Sequence, residues 1–347
     1  MTPHARRLAT CILLAALGAA RTAAGQATGL QPNVVFSEET PLSSNAELAR
    51  RLLTPLTAAQ VPQLLARGGK MLAAQPLNPS DERFVVYVPR QPPPQGYGLL
   101  VFVPPWPEAA LPPGWGPVLD RHGIIFVSAA RSGNDASVLG RREPLALIGA
   151  ANIESRYKVD PARVYVGGLS GGSRIAMRIA LGYPDVFRGA FLNAGSDPIG
   201  DAEIPLPPRD LFLRFQESMR LVYVTGDADT VHLGMDAGSM GSMRDWCVFD
   251  IEDQVTPGAA HQLANADALS RALTALDQHR PPAPAKLAAC RARIDGALND
   301  KLKQLDTLVA AGKRDEALKL LTKVDQRFGG LAAPRSLQLS QALGPAK

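Results

Sequence analysis

The chain has 347 residues, of which 46% are hydrophobic and 20% are charged. This length suits one large domain with an appendage or two ordinary domains, and the apolar fraction excludes a chain that is disordered throughout. Three cysteines are too few for a disulfide-dense small scaffold or a four-thiolate metal site. The formal net charge is +5, but the first 25 residues hold three of the 37 basic residues and none of the 32 acidic ones. A remaining excess of two positive charges predicts no nucleic-acid partner.

Residues 1–25 have the three-part pattern of a secretory signal. Arg6 and Arg7 precede an apolar run over 8–20, and small residues at 23–25 offer a cleavage site for signal peptidase. The apolar run is shorter than the roughly 20 residues that a membrane-spanning helix needs. We therefore predict a secreted or periplasmic protein with no integral membrane segment.

Export would leave two cysteines in the mature chain, Cys247 and Cys290. An oxidising compartment favours a disulfide between such a pair. Two buried thiols that pack as small hydrophobic side chains are the ordinary alternative. The sequence leaves both arrangements open.

After the signal, the sequence passes from a helical segment into alternating strands and helices. Short β-branched and aromatic runs bounded by turn residues predict strands, and apolar residues at helical spacing predict helices. Continuous apolar strands that alternate with amphipathic helices indicate a mostly parallel sheet covered on both faces. In chain order we predict an irregular segment (26–45), helices 46–53 and 58–72, strands 84–88, 99–103 and 124–127, helix 140–156, strand 164–166, helix 172–183, strands 189–192, 221–225 and 248–252, and helix 264–277.

Prolines at 281–284 interrupt this pattern, and the composition then shifts to Leu, Ala, Lys and Asp. Two amphipathic helices follow, joined near Ala311-Gly312, and their connector resembles the turn of a tetratricopeptide-type helix pair. A lone pair cannot bury both of its faces, so we expect it to dock on the main domain or to bind a protein partner. The predicted organisation is a signal peptide (1–25), an N-terminal extension (26–78), a sheet domain (79–281) and a C-terminal helix pair (285–347).

The strongest chemical signal lies at 164–172, where the sequence is Val-Tyr-Val-Gly-Gly-Leu-Ser-Gly-Gly. A buried strand leads into the pattern G-x-S-x-G, centred on Ser170, and a helix follows. In a nucleophile elbow, the serine occupies a cramped turn, and the glycines two residues away let the strand and the helix pass closely. The start of the helix directs the Gly171 N–H towards the place where an oxyanion forms. The pattern predicts Ser170 as a nucleophile and Gly171 as an oxyanion donor.

A serine nucleophile needs a base, and the chain beyond the signal contains His122, His232, His261 and His279. In the chain order Ser, acid, His, the base follows the last strand of the sheet, and His261 lies there. His122 precedes a strand at the opposite edge of the sheet, and His232 comes one strand too early. His279 ends the last helix of the sheet domain, where a histidine interacts with the helix dipole. We therefore predict His261 as the base.

The acid of a triad in this order should follow strand 221–225. The loop 226–231 offers Asp227 and Asp229. Asp229 lies deeper in the loop and is better placed to reach the imidazole, whereas Asp227 has the position of a turn residue that accepts backbone N–H groups. We predict Asp229 as the acid.

Two runs of this sequence closely resemble a known family, the polyhydroxybutyrate depolymerase and feruloyl esterase branch of secreted α/β-hydrolases. They are Val-Asp-Pro-Ala-Arg-Val-Tyr-Val-Gly-Gly-Leu-Ser-Gly-Gly at 159–172 and Tyr-Pro-Asp-Val-Phe at 183–187. The resemblance covers about residues 80–280 and implies an α/β-hydrolase fold. It also implies Asp229 as the acid, through a loose match to the family's acid motif, and His261 as the base, through its G-x-x-H loop.

The chain departs from this family in the loop after the strand that ends at Val103. The family usually has His-Gly there, and the loop supplies the second oxyanion donor. This chain has Pro-Pro-Trp-Pro at 104–107. Proline has no N–H, so Trp106 is the backbone donor that remains in this loop, and the loop 132–134 is the alternative source. The loss of one donor costs about 100- to 1000-fold in turnover.

Together these residues predict a secreted serine esterase that needs no metal or organic cofactor. Ser170 attacks a carboxylic ester to form an acyl-enzyme, His261 transfers the proton, Asp229 orients the imidazole, and Gly171 and Trp106 hold the oxyanion. The short segment 193–220 leaves no room for a large lid, which favours a small or polymer-linked ester as substrate. The alternatives are a serine peptidase of the prolyl-peptidase type and a catalytically degenerate secreted binding protein.

Overall fold

The computed structural model describes residues 27–68 and 77–344. The predicted signal peptide lies outside these residues. In the described part, no helix is long and apolar enough to cross a membrane. The strands there are β1 (Gly29–Val34), β2 (Phe84–Val88), β3 (Tyr97–Val103), β4 (Ile124–Ala129), β5 (Val159–Leu169), β6 (Gly189–Asn193), β7 (Arg220–Gly226) and β8 (Ile251–Thr256).

Helices cover this sheet and extend beyond it at both ends of the described chain. They are α1 (Asn45–Leu52), α2 (Pro55–Ala66), α3 (Trp115–His122), α4 (Glu143–Arg156), α5 (Gly171–Gly182), α6 (Arg209–Ser218), α7 (Thr230–Asp245), α8 (Ala266–Leu276), α9 (Pro284–Ala310), α10 (Arg314–Phe328) and α11 (Arg335–Leu343).

The strands of the described chain form one sheet in the order β1-β2-β4-β3-β5-β6-β7-β8. β1 pairs antiparallel with β2, and β2 pairs antiparallel with β4. All the other pairs are parallel. This order, with its antiparallel second strand and helices on both faces, is the α/β-hydrolase fold, so the predicted fold class is confirmed.

Alternate residues of the central strands sort into two apolar cores, one on each face of the sheet. On β3, Val101 packs on one face, and Leu100 and Phe102 pack on the other. The face of Val101 is covered by α4 and α5, and the C-terminal helices extend the same core. The opposite face is covered by α3 and α8. Because both faces are buried, the strands read as continuous apolar runs and the parallel sheet could be predicted from the sequence.

The largest differences from the predicted elements lie at the two edges of the sheet. The segment 26–45, predicted as irregular, contains β1, in which Leu30 is exposed. The last strand, predicted at 248–252, begins at Ile251, and Val248 is buried in the core ahead of it. Edge strands bury fewer side chains, so their hydrophobic pattern is weak. Three further helices, α3, α6 and α7, lie where no helix is predicted from the sequence.

The C-terminal region contains three helices, where the sequence predicted a pair. α9 and α10 pack together and continue the core of the main domain, and the ring of Phe328 contacts that of Trp246 at 5.9 Å between centroids. α11 follows a short turn at 329–331 and packs against α2. A disulfide between Cys247 and Cys290 links the end of α7 to α9. The helices therefore dock on the sheet domain, and the cysteines form the bridge rather than two free thiols.

Candidate active site

Ser170 occupies the turn between β5 and α5 in a strained backbone conformation. Its φ is +55° and its ψ is −122°, a region that residues other than glycine rarely adopt. A Cβ on Gly168 would lie 2.3 Å from the Gly172 carbonyl carbon, and one on Gly172 would lie 2.0 Å from the carbonyl oxygen of Val103. Only glycine fits at both positions. The local structure is therefore the elbow that the sequence pattern predicts.

Asp229 and His261 come together on neighbouring loops at the same edge of the sheet. Asp229 follows β7, His261 follows β8, and Oδ2 of the aspartate is 2.7 Å from Nδ1 of the imidazole. The aspartate side chain is only 6% exposed, whereas that of His261 is 41% exposed. Because β5, β7 and β8 are parallel, Ser170 lies at this same carboxyl edge.

Backbone contacts fasten the loop of the aspartate to the loop of the histidine. The Asp227 and Ala228 N–H groups donate to the carbonyls of Thr256 and Ala259. A Cβ on Gly226 would lie 2.0 Å from that same Ala259 carbonyl oxygen, so the two loops touch. Asp227 itself is exposed.

Asn193, at the end of β6, ties the histidine loop to the sheet from the other side. Its buried amide donates to the Val224 carbonyl at 2.9 Å, and its Oδ1 accepts the Ala264 N–H at 2.7 Å. The same amide donates to the carbonyl of Gln262, next to His261. The position of the imidazole is therefore fixed by side-chain hydrogen bonds that no local sequence pattern reveals.

His232, rejected as a base by its position in the chain, is also part of this cluster. Its Nδ1 is 2.8 Å from Asp229 Oδ1, and its ring stacks on that of His261 with centroids 4.1 Å apart. Burial acts to raise the pKa of Asp229, but the hydrogen bonds from His232 and His261 outweigh it, and the pKa lies below its ordinary value. The spacing of Asp229 and His232, three residues apart at the start of a helix, could have revealed this contact.

The other two histidines lie elsewhere. His122 ends α3 and its Nε2 is 3.0 Å from the Ser270 hydroxyl. His279 lies beyond α8, and its Nδ1 is 2.6 Å from Asp250. His279, predicted to interact with the helix dipole, instead has a carboxylate partner.

Two loops surround the N-terminus of α5, where an oxyanion would form. Gly171 begins α5, so its N–H has no acceptor within the helix. Within the described residues the Trp106 N–H also has no protein acceptor. The Asn134 amide lies against Gly171: a Cβ on this glycine would be 2.3 Å from Asn134 Oδ1. Both loops named from the sequence, 104–107 and 132–134, thus reach this end of the sheet.

The buried guanidinium of Arg142 holds these two loops together. Its Nε donates to the Ser132 carbonyl at 2.9 Å, and a terminal nitrogen donates to the Pro104 carbonyl at 3.0 Å. Burial lowers the pKa of Arg142 to about 10. The Asn134 N–H also donates to the Pro105 carbonyl. The region beside the elbow is therefore a built structure, although it lacks the family's usual sequence.

Among the described residues, one group of metal-ligating side chains is close enough to share an ion: Asp229, His232 and His261. Their ligand atoms lie within 4.8 Å of one another. The two hydrogen bonds to Asp229 account for this closeness without an ion. Two hollows of about 590 and 450 Å³ lie near α1, and neither is lined by Asp229, His232 or His261.

Comparison with known proteins supports the resemblance seen in the sequence. No family model matches the chain. The poly(3-hydroxybutyrate) depolymerase of Ralstonia pickettii is 30% identical over 98 residues, which are 24% of this chain and 20% of that protein. This chain therefore spans about a fifth of the length of the curated relative that it matches. The predicted resemblance to this group of α/β-hydrolases is confirmed over that region.

Solved structures with a similar arrangement include several hydrolases. A poly(3-hydroxybutyrate) depolymerase from Bordetella parapertussis is 19% identical, with 60% of this chain and 88% of that chain covered and a TM-score of 0.42. An S-formylglutathione hydrolase from Staphylococcus aureus is 12% identical, with 57% and 93% covered and a TM-score of 0.45. At such low similarity, the fold assignment rests on the strand order of this chain itself.

Proposed function

We propose that this chain is an exported serine esterase that hydrolyses carboxylic esters through an acyl-enzyme. Ser170 is the nucleophile, His261 takes and returns the proton, and Asp229 orients the imidazole and stabilises its protonated form. The mechanism uses no metal or organic cofactor. The observation that carries the proposal is the 2.7 Å contact between Asp229 and His261 at the sheet edge where the strained Ser170 elbow also lies.

The protonation chemistry follows from this contact. A carboxylate only accepts hydrogen bonds, so Nδ1 of His261 donates its proton to Asp229 and Nε2 is left free to accept one from a serine hydroxyl. The depressed pKa of Asp229 keeps the carboxylate ionised, which favours the imidazolium that forms as Ser170 attacks.

For the oxyanion, we propose the N–H groups of Gly171 and Trp106. Among the described residues the Trp106 N–H has no other acceptor, which supports this assignment. The bonds from Arg142 to the carbonyls of Ser132 and Pro104 would hold the donor loop rigid, and preorganised donors are what this step requires. The amide of Asn134 is the alternative second donor.

The substrate class that we propose is a small ester or an ester carried on a polymer. The name of the Ralstonia pickettii relative indicates such a polymer, poly(3-hydroxybutyrate). The His261 side chain is 41% exposed, which supports an open site. We further propose that residues 1–25 are a signal peptide and that the mature protein is exported, in agreement with the disulfide.

A fluorophosphonate, which reacts with activated serines, tests the proposal directly. We expect it to label Ser170 in the mature protein and no other serine, and we expect Ser170→Ala to abolish both labelling and the hydrolysis of p-nitrophenyl acyl esters. Peptide mapping by mass spectrometry locates the label. Ser173→Ala is a matched control. Ser173 lies on α5 close to the elbow, and its buried hydroxyl donates to the Gly195 carbonyl.

An unlabelled, folded protein without ester turnover would contradict the esterase assignment and favour a binding protein. Cleavage of peptide amides at rates comparable with those of acyl esters would favour the peptidase. Acyl esters of graded length and polysaccharide-linked esters, compared by kcat/KM, define the substrate class.

A further inference from the structure

The carboxylate of Asp229 is shared between two imidazoles, although a triad needs only one. His232 Nδ1 is 2.8 Å from Oδ1, and His261 Nδ1 is 2.7 Å from Oδ2. The two rings stack at an angle of 17°. Because the carboxylate can only accept, each Nδ1 carries a hydrogen, and the neutral rings have the same tautomer. Each ring bonds one carboxylate oxygen, so the bond from His232 to Oδ1 leaves Oδ2 for His261.

We propose that His232 is a positioning residue for the triad, a role that rests on the proposed serine-esterase function. Its Nδ1–H holds Asp229 Oδ1, and its ring supports one face of His261, so the acid and the base keep a single orientation. His232 is itself fixed on α7, where Asp229 is the N-cap and its Oδ1 also accepts the His232 backbone N–H at 3.4 Å. Its side chain is 20% exposed, so protons from solvent can reach it.

Several charged or titratable groups lie near His232 and would interact with a positive charge on its ring. Asp229 and His261 contact it directly, and Asp236 lies one turn later on α7, buried and bonded to the hydroxyls of Ser196 and Thr225. Arg174 on α5 approaches the same stretch of α7 through the sulfur of Met235, at 3.6 Å. Arg174 is itself 3.5 Å from Asp197.

Protonation of His232 therefore adds a positive charge next to the ring that must become an imidazolium in the transition state. Like charges at this separation oppose each other strongly in a partly buried site. We therefore expect the wild type to lose activity when either imidazole, that of His261 or that of His232, takes up a proton. The acid limb of kcat/KM against pH should then be steeper than a single protonation gives.

Two substitutions separate the hydrogen bond from the ring. His232→Phe keeps an aromatic ring that can stack on His261 but has no donor for Asp229. His232→Asn keeps an N–H near the position of Nδ1 but cannot stack or take a proton. At pH 8 we expect His232→Phe to lower kcat by about 10- to 100-fold with KM changed less than about threefold, which is the scale of one hydrogen bond to a charged group. We expect His232→Asn to stay within about threefold of the wild type.

The experiment measures kcat and KM of the full mature protein, the two variants and Ser170→Ala with one p-nitrophenyl ester from pH 5 to 9. Thermal unfolding confirms that each variant is folded. The proposal expects both His232 variants to show a single-proton acid limb and the wild type a steeper one. Ser170-dependent turnover with a pH profile unchanged in both variants would overturn this inference and leave the esterase assignment standing. A folded wild type without Ser170-dependent turnover would overturn both.

Discussion

The assignment of the acid can be tested by exchanging each aspartate of its loop for asparagine. Asp229→Asn replaces a carboxylate that accepts from two imidazoles by an amide with a single acceptor oxygen, so one imidazole must face an N–H group. If that ring is His261, the tautomer with a free Nε2 is no longer favoured. We expect turnover to fall by about 10⁴-fold, the effect of this change in a serine triad, or about 5 kcal/mol of transition-state stabilisation.

Asp227→Asn is the matched control, because it makes the same chemical change two residues earlier. The Asp227 side chain is exposed, and its link to the histidine loop is made by its backbone N–H, which the substitution keeps. We expect its turnover to remain within about threefold of the wild type, since an exposed side chain contributes at most about 1 kcal/mol.

The two variants should also differ in the pH dependence of stability. The pKa of Asp229 is lower in the folded protein than its ordinary value of 3.8, so the carboxylate stabilises the fold above about pH 4 and loses this effect as pH falls through the folded pKa. Urea unfolding should therefore show Asp229→Asn to be less stable than the wild type at pH 7, by about 1–3 kcal/mol for the hydrogen bonds lost. The difference should shrink towards pH 3.

The kinetic assay is hydrolysis of a p-nitrophenyl ester at pH 8 by proteins of verified fold. If Asp227→Asn is the crippling change and Asp229→Asn is mild, the acid assignment is wrong although a serine mechanism survives. If neither variant loses turnover, the acid lies on another strand end, and the contact between Asp229 and His261 has no catalytic role.

Two further predictions concern the oxyanion region and the C-terminal helices. Gly171→Ala would place a methyl group 2.3 Å from the Asn134 amide, so we expect kcat to fall by about 100-fold or more. The control is Gly234→Ala, where the added Cβ meets no atom within 4 Å. Equal activity of the two variants would contradict a tight fit at the elbow. Cys290→Ser opens a bridge between residues 43 positions apart, and we expect chemical denaturation to show a loss of about 2–4 kcal/mol with kcat nearly unchanged. A collapse of kcat in that variant would instead indicate that α9 supports the active site.

Local sequence was enough to predict the elbow and the type of fold. The β5–Ser170–α5 unit depends on interactions within about a dozen residues, and glycine at 168 and 172 is required by contacts that any such turn makes. Likewise, strands buried on both faces keep a continuous apolar pattern, so β2 to β7 were each predicted, although β5 extends beyond its predicted bounds at both ends. The choice of Asp229 over Asp227 rested on its deeper position in the loop and on the triad order, and the contact of Asp229 with His261 agrees with it.

Contacts between residues far apart in the chain were decided only by the tertiary structure. Edge strands such as β1 and β8 carry little hydrophobic pattern, because their partner is present on one side only. The clamp of Arg142 on two loops, the bridge from Asn193 to the histidine loop, and the stacking of His232 on His261 join elements that share no local signal. Side-chain hydrogen bonds depend on direction and distance in three dimensions, and a sequence specifies these only through the complete fold.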